Sequence, residues 1–359
     1  METGLYDSRE DAAHAIRRGG LHIYTALDPR IQKIMETVMF NDKNYPPNTY
    51  VYPEGHSLAG RVYPQVCGIV MDAKQGYVRG MVGGREFNSI NKLNRYNRMF
   101  QPGSSIKPVV VYGPAFELGV LSPASILDDS PTLWPSGSKL YAPENVARSF
   151  KGLVTVRESL VQSHNIPALK GYQLLMQTGG EKAGVAFARK LGITNYGERN
   201  PNNPTAYAQL ATAIGSEVVT PLEMAQAYSA FANKGICSKP IFVTRITDRD
   251  GVEIYSASIN QEVAMSEQTA FLVTDILKDV VIRGLRSTGL GKYNVAAKTG
   301  TTDGGHDRWR VGYNRDYVFS LWMGNDNKQT IVNGKTVYIK GFSSNSHITN
   351  IFGTIFKNV

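Results

Sequence analysis

The sequence predicts an α/β protein of the α+β type: a five-stranded antiparallel sheet covered by helices on both faces. Three observations predict it. Strand-like segments lie at both ends of the chain, helix-like segments fill the middle, and two pairs of strands are joined by turns too short for a crossover.

The elements follow in order. A charged helical stretch over 7–18 ends at Gly19-Gly20, and an amphipathic helix over 28–40 opens with Asp28-Pro29. Residues 43–64 are rich in Pro, Tyr and Gly and read as a connection, so residues 1–64 are taken as a linker segment and 65–359 as the main domain. Strands over 66–72 and 77–82 flank Ala73-Lys-Gln-Gly76, a hairpin turn whose glycine permits positive φ. Apolar residues at helical spacing mark helices over 153–163, 181–191, 221–233 and 267–282, and Thr220-Pro-Leu-Glu223 is a capping box for the third. Strands over 294–302, 309–313 and 317–323 complete the sheet, the last two joined by Asn314-Arg-Asp316.

Composition excludes several classes of function. Apolar residues make up 42% and charged residues 19% of 359, which is ordinary for a globular chain with a substantial core and argues against disorder. The net charge of +9 comes from scattered residues without a nucleic-acid module signature, and it reads as a solvated basic surface. Cys67 and Cys237 are too few for a disulfide framework and lack metal-site spacing, and the histidines form no H-E-x-x-H pair, so neither a metal nor a cofactor is expected. No run of about eighteen apolar residues is present, and Met1-Glu-Thr-Gly does not open a signal peptide.

Three short motifs carry chemistry. Lys298-Thr299-Gly300-Thr301-Thr302 ends an apolar strand in a cationic, hydroxyl-rich edge suited to a carboxylate. S-x-x-K should occur about once or twice by chance in a chain of this length, and it occurs three times, at Ser89/Lys92, Ser104/Lys107 and Ser136/Lys139. The first and third sit in Asn-rich and Gly/Pro/Ser-rich loops, whereas Ser104-Ser-Ile-Lys107-Pro108 leads into Val109-Val-Val-Tyr112, a buried-looking helix starting at the serine. S-x-N is equally loose, with matches at Ser89, Ser163, Ser258 and Ser343, of which Ser163-His-Asn165 stands in chain order between the other two motifs.

The serine needs a base. One helical turn puts Lys107 on the face of Ser104, and a lysine becomes a base only when burial or a second cation depresses its pKa. Lys298 would be that cation if its strand lies beside the serine helix. The helix N-terminus aims N–H groups at the place where an oxyanion forms.

S-x-x-K, S-x-N and K-T-G in this order resemble the penicillin-recognising serine transferases. The likeness is densest to the transpeptidase domain of bifunctional class A penicillin-binding proteins. It covers roughly residues 65–345 and includes Gly83-Gly84-Arg85, Asn165-Ile-Pro-Ala168 and Asp307-Arg-Trp309. The resemblance implies the penicillin-binding/β-lactamase-like fold and a D,D-transpeptidase that cross-links peptidoglycan stem peptides ending in D-Ala-D-Ala and is acylated by β-lactam antibiotics. It implies Ser104 as nucleophile, Lys107 as its base, Ser163 as proton relay, Asn165 as a holder of Lys107 and substrate, and Lys298 as the source of positive potential. It further implies Thr299, Gly300, Thr301 and Thr302 as the substrate-binding edge, and the N–H groups of Ser104 and Thr301 as the oxyanion hole. Residues 21–30 resemble the joining segment after a glycosyltransferase domain, so the resemblance also implies a longer membrane-anchored protein on the extracytoplasmic face of a bacterial membrane.

Other readings stay open. His164 invites a Ser-His pairing, but it fills the variable position of S-x-N. Glu198-Arg-Asn-Pro-Asn202 repeats the E-x-x-x-N spacing with which class A β-lactamases position a deacylating water, which would make the chain a hydrolase, although the segment reads as a Gly/Pro/Asn-rich turn. A non-catalytic β-lactam sensor would need the same acylation residues.

Overall fold

The computed structural model describes residues 6–46, 50–51, 54, 59, 62–86, 92–136, 139–194, 196–199, 209–332, 335–339, 341–342 and 344–359. Its centre is an antiparallel sheet of β1 (Gln65–Asp72), β2 (Val78–Val82), β3 (Ala296–Thr301), β4 (Asp307–Tyr313) and β5 (Tyr317–Gly324), in the order β3-β4-β5-β1-β2. All five expected strands are present, with ends displaced by a residue or two. β1 pairs with β5 without a break from Gln65↔Gly324 to Asp72↔Tyr317, so strands from the two ends of the chain meet in the middle of the sheet.

Side chains alternate along each strand, and both sets are buried. Trp309, Val311, Tyr313, Val318 and Trp322 enter one core, while Phe319, Leu321, Met323, Val66 and Val70 enter another on the opposite face. The principal helices are α1 (Pro29–Met39), α2 (Val156–Gln162), α3 (Asn165–Gly179), α4 (Pro221–Ala232), α5 (Glu267–Gly284) and α6 (Ser346–Asn358). The first core lies under α4, α5 and the helical segment 103–117, and the second under α1 and α6. Helices therefore cover both faces, as the sequence predicts.

Local chemistry fixes the helix ends. The capping box at α4 is present: Glu223 N–H donates to Thr220 Oγ1 at 3.1 Å, and Thr220 N–H donates to Glu223 Oε2 at 2.8 Å. α2 starts later than its apolar spacing suggests, because Gly152–Thr155 pairs with Ile126–Asp129 as a two-stranded ribbon and Thr155 then caps the helix. α1 lies within the stretch read as linker, yet it sends Ile31, Met35 and Met39 into the second core. The Gln32 side chain accepts from Met81 N–H at 2.8 Å and donates to Met81 C=O at 3.0 Å, which occupies part of the outer edge of β2. Cys67 and Cys237 are both buried and unpaired with each other. Among the described residues no helix is long and apolar enough to cross a membrane.

Candidate active site

The helical segment that carries Ser104 is not one α-helix. Gly103–Ile106 forms a 3₁₀ turn, Pro108–Tyr112 a π turn and Gly113–Glu117 an α turn, so the helix expected to begin at Ser104 begins one residue earlier. In a 3₁₀ turn residues i and i+3 eclipse, which sets Ser104 and Lys107 on one side. The turn is pinned from outside. Tyr228 OH donates to Ser105 C=O at 2.6 Å, Trp309 Nε1 donates to Gln101 C=O at 2.8 Å, and Phe100 stacks on Trp322 with ring centroids 3.7 Å apart.

Three backbones meet at this turn, and glycine lets them. A Cβ on Gly300 would sit 2.2 Å from Pro102 C=O and 2.9 Å from Ser105 Oγ, which explains in steric terms why the lysine strand has a glycine two residues after Lys298. Gly215, at φ +90°, lies against the other side, where a Cβ would come 2.3 Å from Gly103 C=O. β3, the serine turn and the segment around Gly215 thereby close to backbone contact.

This approach brings Lys107 and Lys298 together with the S-x-N turn. Ser163 ends α2 in the left-handed region at φ 62°, and Asn165 opens α3. Lys298 Nζ donates to Ser163 Oγ at 2.7 Å and to its own neighbour's Thr299 C=O at 3.0 Å. Lys107 Nζ donates to Ser163 C=O, His164 C=O and Asn165 Oδ1, each at 2.8 Å. Three acceptors match the three N–H groups of an ammonium. The expectation that Lys107 reaches the Ser104 hydroxyl is therefore modified: its donors are all engaged by residues 163–165, and among the described residues the Ser104 hydroxyl makes no hydrogen bond. A buried ammonium must satisfy its donors, and the carbonyls exposed by the left-handed turn at Ser163 do this.

Both lysines have no exposed surface. Burial pushes Lys107 well below the ordinary lysine value; the charge of Lys298 pushes the same way, and Asp129 opposes them. Lys298 is lowered to about 7, first by burial and then by Arg310, a buried guanidinium held by Thr349 Oγ1 and Trp309 C=O. Arg310 lies directly across from Thr299 on β4. The site is thus a desolvated cationic cluster in which a lysine can be a neutral base.

Ser104 opens onto a cleft of about 290 Å³ lined also by Asn165, Ile214, Ser216, Thr301 and Thr302. A second hollow of about 700 Å³ continues from it past Tyr141, Arg148, Asp303 and Arg308. Ser104 and Thr301 thus share one cleft, as an oxyanion hole built from their N–H groups requires. Thr299 and Gly300 do not line it. The Thr302 hydroxyl does, but it accepts from Asp307 N–H at 3.0 Å and contacts Asp307 Oδ2 at 3.2 Å, so it is committed to its own hairpin.

The competing residues fall elsewhere. Ser89, Asn91, Asn202 and Ser343 lie outside the described residues. Ser136 and Lys139 face each other across a small hairpin, and Ser258 is exposed in a loop. Glu198 binds Arg189 at 2.8 Å and Lys182 at 3.3 Å and lines neither hollow. His164 turns Nδ1 toward Asp129 Oδ2 at 3.6 Å. Sequence reasoning missed Asp129, Asn145 and the site role of Arg310, whose residue types in loops and strands carry no spacing signal.

Comparison with known proteins agrees with the geometry. The family described as penicillin binding protein transpeptidase domain matches residues 66–352. Penicillin-binding protein 1A of Clostridium botulinum (strain Langeland / NCTC 10281 / Type F) is 30% identical over 339 residues, which is 91% of this chain and 39% of that protein. Penicillin-binding protein 1A/1B of Bacillus subtilis (strain 168) is 34% identical over 330 residues, 85% of this chain and 32% of that protein. The chain therefore spans between 32% and 39% of the length of these relatives. Among solved structures, PonA1 from Mycobacterium tuberculosis in complex with penicillin V superposes with a TM-score of 0.76 at 22% identity, over 99% of this chain and 89% of that one. Penicillin-binding protein 1A from Haemophilus influenzae gives 0.76 at 18%, over 97% and 68%. With the fold shared and the family matched over most of its length, the chain belongs to the penicillin-binding protein transpeptidase domain family.

Proposed function

We propose that this chain is a serine D,D-transpeptidase that joins peptidoglycan stem peptides and is acylated by β-lactams. The observation that carries the reading is that Lys107, the Ser163–Asn165 turn and Lys298, from three parts of the chain, form one hydrogen-bonded cluster behind a cleft lined by Ser104 and Asn165. Lys107, neutral after giving up one of its three contacts, accepts the Ser104 proton as Oγ bonds to the carbonyl carbon of the penultimate D-alanine. The N–H groups of Ser104 and Thr301 hold the oxyanion. The C–N bond then breaks, the departing D-alanine nitrogen takes the Ser163 proton, and Lys107 returns one to Ser163. Thr301, which lines the cleft where Thr299 does not, holds the terminal carboxylate of the donor. An amine of a second stem peptide attacks the ester, forms the new amide and restores Ser104 with its proton.

We infer, from the resemblance of residues 21–30 to a joining segment together with the share of its relatives that the chain spans, that the activity belongs to a longer, membrane-anchored protein with a glycosyltransferase domain, acting on the extracytoplasmic face. The hydrolase reading has no support in the site, because Glu198 is held by two surface cations.

The test is incubation with a fluorescent penicillin, followed by intact mass and peptide mapping, alongside D-alanine release from a stem peptide. A stable adduct on Ser104 that disappears in Ser104→Ala is expected. Labelling elsewhere, or unchanged labelling in the variant, would sink the reading.

A further inference from the structure

A buried carboxylate lies beneath the S-x-N turn, outside all three motifs. Asp129 ends the strand Ile126–Asp129 and has no exposed surface. Its Oδ1 accepts from Asn145 Nδ2 at 2.7 Å, and its Oδ2 accepts from Lys151 N–H at 3.0 Å. Asn145 Oδ1 in turn accepts from the backbone N–H of Asn165 at 2.7 Å and, more weakly, of Ile166 at 3.4 Å. Those are first-turn donors of α3 that the helix cannot satisfy itself. Asn165 Oδ1 receives Lys107 at 2.8 Å, while its Nδ2 donates to Glu144 C=O at 2.7 Å, which fixes the amide the right way round. An unbroken path runs from Asp129 through Asn145 and Asn165 to Lys107.

Charge points the same way. The groups that face Lys107 are Lys298 from β3, Asp129 from the ribbon and His164 from the turn after α2. Asp129 is the anion of this set, and a buried carboxylate is retained only where its hydrogen bonds are filled.

We propose that Asp129 is a positioning residue of the acylation site: through Asn145 it holds Asn165, and hence Lys107, in place, and it offsets part of the positive charge that Lys298 imposes on Lys107. The role of Lys107 as base is the one proposed above, but the chain of contacts stands apart from it and can be read without any reaction.

The experiment follows the ε-carbon resonance of Lys107 in protein labelled with ¹³C-lysine, assigned with Lys107→Arg, through a pH titration. Asp129→Asn keeps the shape and removes the charge. Because a nearby anion favours the ammonium, its loss lowers the Lys107 midpoint, and the acidic limb of the penicillin acylation profile moves to lower pH by the same amount. Asn145→Ala leaves the charge but cuts the path, and it slows acylation about tenfold with a smaller change in midpoint. Thermal unfolding confirms that each variant is folded. Wild-type midpoint, profile and rate in both variants would overturn the proposal. Absence of any Ser104 adduct in the wild type would instead remove the transpeptidase reading, while the resonance titration still decides the role of Asp129.

Discussion

Lys298 Nζ donates to Ser163 Oγ at 2.7 Å, so this hydroxyl accepts from the lysine and keeps its own proton for another acceptor. The left-handed backbone at Ser163 is what turns the hydroxyl toward β3 while its carbonyl turns toward Lys107. One residue therefore separates the two cations, touching each with a different oxygen.

Replacing Lys298 by Met is expected to stabilise the fold and abolish acylation. A desolvated ammonium gives way to an apolar side chain of similar length, a change of about 1–3 kcal/mol in favour of the native state. The pH dependence gives a second readout. Lys298 has a folded value of about 7 against 10.5 for a free lysine, so between these values the unfolded chain binds a proton that the native state does not. Wild-type stability then rises with pH across that window, and the slope weakens in the variant. Urea unfolding from pH 7 to 10 measures it. A variant less stable than wild type at pH 7 would contradict the argument.

Gly300→Ala is expected to damage the site without touching any hydroxyl or amine. The new methyl would meet Pro102 C=O at 2.2 Å, so β3 and the serine turn must separate. Overpacking of this kind destabilises by about 1–3 kcal/mol, and a shift of the turn by an ångström slows acylation by about a hundredfold. Stopped-flow labelling with a fluorescent penicillin checks the rate, and wild-type kinetics would refute the steric account.

Glu198→Gln is expected to leave the lifetime of the penicillin adduct unchanged. Its carboxylate is engaged by Arg189 and Lys182, so its loss removes exposed ion pairs of about 0–1 kcal/mol and no water-activating group. The decay of the adduct, followed by intact mass, measures this; a much longer lifetime in the variant would restore the hydrolase reading.

The sheet was legible because its strands carry long apolar runs and two of its connections are short turns. The motifs were legible because their order and local context single out one serine among several. What stayed hidden is made by the main chain and by tertiary pairing. The carbonyls of Ser163 and His164 that receive Lys107 leave no mark in the sequence. Leu153, which reads as the first residue of a helix, is in a strand because Asp128 lies opposite it. Asp129 and Asn145 are ordinary loop and edge residues until the turn they support is seen. Thr302 sits next to Thr301 in the motif but spends its hydroxyl on Asp307, a partner that only the hairpin brings near.

The central position of β1 ties the site to the order of synthesis. β1 leaves the ribosome before β5, the strand that must lie beside it, and the serine turn, α2, α4 and α5 are made in between. A growing chain that already holds Ser104, Lys107 and Ser163 still lacks the strand that carries Lys298 and the sheet that presses it against the serine. Such a nascent chain has its serine turn and no pocket, so an antibiotic that needs the assembled cleft can capture only molecules in which β3, β4 and β5 have already been made.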